Sequence, residues 1–204
     1  MSRLGILVGP GVVRTGAVDG LHAFAEAAGC GVVNTWGAKG VFVWDDPRHF
    51  GTAGLQARDF ELAGLGDVDV LATSGLDDDE VTSRPWEGRA EVIDIDPREL
   101  ASARSTLPPG TLDRPALYTD LAAVCGPFYG QPGSAPARAA ALASALPEGG
   151  VVVAEPGLVG FWVARTFPTS LPGSVVVPAT GGGGAAHRAA RVLAAEGGGV
   201  TLVV

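Results

Sequence analysis

The chain has 204 residues, 31 of them glycine and 15 proline, with 47% hydrophobic and 18% charged residues and a formal net charge of -8. That apolar content excludes a disordered chain, and the acidic balance argues against a nucleic-acid partner. The longest apolar runs fall far short of the roughly 20 residues that span a bilayer, two cysteines (Cys30 and Cys125) cannot build a disulfide framework, and no basic segment leads an apolar one at Met1, so a cytoplasmic globular protein with no membrane association is expected.

In chain order, Leu4-Gly5-Ile6-Leu7-Val8 reads as a short buried strand ending at Gly9-Pro10-Gly11. Leu21, Phe24, Ala25 and Ala28 then recur at helical spacing, and Gly29 stands where a helix-ending glycine belongs. Val32-Val33 opens a second strand, followed by a Gly-rich aromatic loop from Thr35 to Gly54. Val68 to Thr73 and Ala90 to Ile95 read as third and fourth strands, with short helices at 56–64 and 97–103. Residues 127–136 have linker composition. The rhythm then restarts: a helix from Ala137 to Leu146, a strand Val151–Ala154, a helix Leu158–Phe167, a strand Val175–Val177, a helix Ala185–Ala195 and a strand Val200–Val204. Alternating strands and helices predict an α/β protein. The expected architecture is a Rossmann-like parallel sheet of six or nearly six strands, with helices on both faces, at residues 1–126. A linker at 127–136 and a partial second α/β unit at 137–204 complete it.

Gly9-x-Gly11 between a strand and a helix suits a dinucleotide pyrophosphate, although Arg14 stands where the fingerprint has its third glycine; a plain tight turn reads equally from the same residues. Gly181 to Gly184 before a helix suits a diphosphate or a loose loop. Asp77-Asp78-Asp79-Glu80 reads as a solvated acidic loop rather than a hard-metal site. His22, His49 and His187 have no metal-ligand spacing, so no metal site is expected. Glu155, directly after an apolar strand, reads either as a site carboxylate or as an exposed strand-end residue.

The order of segments carries more than any one motif. Gly5 to Gly11, then Val32 to Phe42 with Thr35-Trp36-Gly37-Ala38-Lys39-Gly40, then Gly51-Thr52-Ala53-Gly54, Asp69 to Gly75 and Val92-Ile93-Asp94-Ile95-Asp96-Pro97 follow one another. This succession resembles the central domain of thiamine-diphosphate-dependent enzymes of the acetolactate synthase, pyruvate oxidase and benzoylformate decarboxylase group. Val151 to Gly157 and Ala179 to Gly184 resemble the start of that family's diphosphate-binding domain.

The resemblance implies descent from a 2-oxo acid carboligase or decarboxylase, with thiamine diphosphate as the family cofactor. It places cofactor-binding positions at Gly9, Gly11, Thr35, Gly37, Gly51, Gly75, Asp94 and Ile95 for FAD or ADP, and at Glu155, Gly182 and Gly183 for the diphosphate. It also implies a glutamate from a pyrimidine-binding domain and a Gly-Asp-Gly metal motif, neither of which is seen in this sequence. No catalytic residue is therefore assigned, and the chain reads as a shortened homologue without a complete active site of its own. A separate pyrimidine-domain subunit would complete it; a non-catalytic nucleotide-binding or scaffolding module is the alternative. A homo-oligomer or such a complex is expected. Leu76 and Glu80 stand where flavin-binding relatives carry arginines, so the acidic run is expected to oppose a diphosphate.

Overall fold

The computed structural model describes residues 3–43, 46–81, 83–103, 131–134, 137, 138, 141, 150–155, 157–167, 171–178, 184–197 and 199–203. Its first sheet has five parallel strands: β1 (Leu4–Val8), β2 (Val32–Thr35), β3 (His49–Ala53), β4 (Val70–Ser74) and β5 (Glu91–Asp94). They lie in the order β3-β2-β1-β4-β5. The second sheet has three parallel strands in the order β7-β6-β8, with β6 at Val151–Ala154, β7 at Val175–Val176 and β8 at Val200–Val203. Among the described residues no helix is long and apolar enough to cross a membrane.

The central strand β1 is buried along its whole length, as a parallel strand covered on both faces must be. Its alternation divides the core. Leu4, Ile6 and Val8 face Val12, Leu21, Phe24 and Leu100 on one side, while Leu7 joins Val33, Phe60, Leu65, Leu71 and Trp86 on the other. Each such side chain contributes about 1.5–3 kcal/mol relative to exposure, so both faces are needed to hold a sheet of this size. A single-turn helix α1 (Gly11–Arg14) leads into α2 (Val18–Ala28), whose buried Leu21, Phe24 and Ala25 recur at helical spacing. Gly29 ends it at φ 63°, a left-handed conformation that favours glycine.

One strand differs from the sequence expectation. His49–Ala53, placed in the loop Thr35–Gly54, is β3 and pairs in parallel with β2. Its His-Phe-Gly-Thr-Ala composition has no apolar alternation, because all five residues are buried. A register shift between Val32 and Val33 further blurs the pattern. The helix expected at 56–64 is a short α3 (Asp59–Leu62) followed by a tight turn at Leu65–Asp67, and that expected at 97–103 is a turn at Pro97–Glu99. Asp96 caps the latter by accepting from the Arg98 N–H at 2.9 Å. The expected sixth strand is not among the described residues, of which the first sheet uses five strands; most of the linker, the helix Ala137–Leu146 and Cys125 also lie outside them.

The second unit follows the sequence closely. Helices α4 (Leu158–Thr166) and α5 (Ala185–Ala195) accompany its strands. Val152, Ala154, Val163, Phe167, Val175 and Val203 form its core. The two units meet through α4. Arg165 reaches across to Asp59 at 2.6 Å, with both side chains 1% exposed, and donates to the Thr52 carbonyl oxygen at 2.8 Å. Asp59 also accepts from the Leu55 and Gln56 amides, each at 2.9 Å, so the ion pair is anchored to the backbone after β3.

Candidate functional site

Open α/β sheets take their ligands outside the carboxyl ends of the strands, where the strand order reverses. Here that point lies beside β1, whose neighbours are β2 on one side and β4 on the other. The topology brings most of the sequence-predicted positions to this edge. Gly9 and Gly11 follow β1, Thr35 ends β2, Gly37 lies just beyond it, Gly75 follows β4, and Asp94 and Ile95 stand at the end of β5. Gly51 is different: it lies inside β3, paired with Val33.

The crevice beside β1 is closed by backbone. The Gly9 N–H donates to the Ser74 carbonyl at 2.9 Å, the Gly11 N–H to the Gly75 carbonyl at 2.8 Å, and the Val12 N–H to the Gly9 carbonyl at 3.1 Å. These donors are therefore not free for a phosphate. A Cβ on Gly9 would lie 2.4 Å from the Gly75 carbonyl oxygen, and one on Gly11 would lie 2.6 Å from the Gly75 Cα. Gly75 itself has φ +60°. The three glycines serve the close approach of two loops, as glycine allows. The helix after this turn has only four residues and ends at Arg14. That arginine makes two hydrogen bonds to Asp77, at 2.8 and 2.7 Å, bracing the same two loops.

Glu80 is turned inward rather than towards an open crevice. It is 4% exposed and packs on Gly37, where a Cβ would lie 2.2 Å from Glu80 Oε1. Burial raises its carboxyl from an ordinary 4.5 to about 7, and Asp77 adds to the rise. The Thr35 hydroxyl, the Gly37 amide and Arg14 pull the other way. Even so, Thr35 Oγ1 and Glu80 Oε2 make no well-formed hydrogen bond among the described residues.

Asp94 stays at the surface. Its Oδ1 accepts from the Thr73 hydroxyl at 2.8 Å, and the Ser74 hydroxyl donates to the Ile95 carbonyl at 2.8 Å. A groove of about 530 Å³ runs past Thr73, Asp94 and Ile95 and is also lined by Asp78, Arg84 and Asp96. Among the described residues its one lining cation, Arg84, is already paired with Asp78 at 3.1 Å. A second cavity, of about 280 Å³, lies between the units, with Arg14, Trp36, Asp79 and Glu80 on one side and Val175 to Val177 on the other.

In the second unit, Glu155 Oε1 accepts from the Ala186 N–H at 3.2 Å. A carboxylate thus occupies the amino end of α5, where the helix dipole favours negative charge. Gly182 and Gly183 lie outside the described residues. Among the described residues no three His, Cys, Asp or Glu side chains are grouped to hold a metal ion. The Ala186 amide at the amino end of α5 is already taken by a carboxylate.

Sequence reasoning passed over two buried cations. Arg165 sits in an apolar helix among Val163, Ala164 and Phe167, and a lone arginine in such a helix is the available signal. Lys39, within the Thr35–Gly40 motif, is 4% exposed. Burial pushes its amine down from 10.5 to about 7, and the charge of Arg165 pushes in the same direction.

Residues 2–108 match the family model described as thiamine pyrophosphate enzyme, central domain. Curated relatives include the acetolactate synthase of Mycobacterium bovis and the acetolactate synthase large subunit of Mycobacterium tuberculosis, each 34% identical over 124 residues, covering 58% of this chain and 20% of the relative. The acetolactate synthase of Mycobacterium leprae is 33% identical over 124 residues, with the same coverage. The chain therefore spans about a fifth of the length of these relatives. An X-ray structure of a candidate thiamin diphosphate-dependent enzyme from Mycobacterium smegmatis aligns over 98% of this chain and 44% of its own, with a TM-score of 0.70 and 18% identity, a likeness of fold. Over its first half the chain belongs to the thiamine pyrophosphate enzyme family, as that family's central domain, and is acetolactate synthase-like.

Proposed function

We propose that this chain contributes the central domain of a thiamine-diphosphate-dependent 2-oxo acid carboligase or decarboxylase, and that this domain works as a scaffold rather than as a nucleotide site. The observation that carries the reading is the closed crevice beside β1, where the Gly9 and Gly11 amides are already bonded to Ser74 and Gly75. The buried Arg165–Asp59 pair supports it, because it fixes the second unit onto the end of β3. Catalysis then depends on groups beyond these residues, in a second copy or in a separate chain carrying the pyrimidine-binding domain. Leu158 and Val192, exposed on the second unit, offer such a partner apolar surface.

The test is an assay of acetolactate formation and pyruvate decarboxylation by the purified chain with thiamine diphosphate and Mg²⁺, together with its visible spectrum. A colourless protein with turnover no higher than the cofactor alone is expected. Turnover well above that control, or a bound flavin, would overturn the reading.

A further inference from the structure

We draw no further inference here: the strongest candidate, the buried pair of cationic side chains Lys39 and Arg165 where the two units meet, carries nothing, because Arg165 is already committed to Asp59 and nothing among the described residues beside Lys39 shows what ligand its amine would receive.

Discussion

Replacing Lys39 by methionine should stabilise the protein, and the gain should depend on pH. Lys39 is 4% exposed, and its amine is pushed from 10.5 down to about 7, first by burial and then by Arg165. A shift of that size means the charged form is disfavoured in the folded state by about 5 kcal/mol at most, at about 1.4 kcal/mol per unit. Between pH 7 and 10.5 the unfolded chain holds this proton and the folded chain has released it. Stability therefore rises with pH across that window. At pH 7 the cost carried by Lys39 is about 4 kcal/mol, and at pH 9 about 2 kcal/mol, both as upper bounds. Methionine has a similar length, no charge and the flexibility to fill the same space. Urea unfolding followed by tryptophan fluorescence at pH 7 and pH 9 measures the difference. Stabilisation by Lys39→Met that shrinks from pH 7 to pH 9 is expected. A destabilised variant at both values, or a gain that ignores pH, would show that Lys39 stays charged and satisfied in the folded state.

Glu80 gives the opposite slope: its folded carboxyl titrates at about 7 against 4.5 unfolded, so stability should fall by about 2 kcal/mol from pH 5 to pH 7, and Glu80→Gln should flatten that fall in urea unfolding curves. Arg165→Met removes one partner of a pair whose side chains are 1% exposed and strands the Asp59 charge, so a loss of about 3–5 kcal/mol is expected in the same assay. Gly11→Ala places a methyl group 2.6 Å from the Gly75 Cα and should cost about 1–3 kcal/mol through displaced backbone; an unchanged melting temperature would contradict the interlocked loops. Thr73→Val removes one hydrogen bond to the surface carboxylate of Asp94 and should cost only about 1 kcal/mol by thermal melting.

Much of the fold was legible because its elements obey simple periods. Leu21, Phe24 and Ala25 marked α2, the valine run marked β6, and residues 185–195 formed the expected helix. β3 was not legible, since a strand buried on both faces has no alternation and Gly51 interrupts its apolar character. The site was legible as a place but not as a state. Topology alone carries Gly9, Gly11, Gly75, Asp94 and Ile95 to the strand ends. Whether the glycines leave amides free for a ligand or spend them on each other depends on how closely two loops approach, and spacing in the sequence does not encode that distance. The acidic run showed the same limit. Glu80 reads as one of four exposed acids, yet the backbone turns it inward onto Gly37 while Asp78 and Asp79 face solvent.

Titration of the purified chain with FAD and with ADP tests most directly whether the crevice beside β1 is closed. Calorimetry should find no saturable binding of FAD and, for ADP, at best an affinity in the high-micromolar range, because the Gly9 and Gly11 amides are already bonded to Ser74 and Gly75. Stoichiometric FAD bound at micromolar concentration, lost on Gly11→Ala substitution, would show that the two loops part to admit a nucleotide, and the scaffold role would fall.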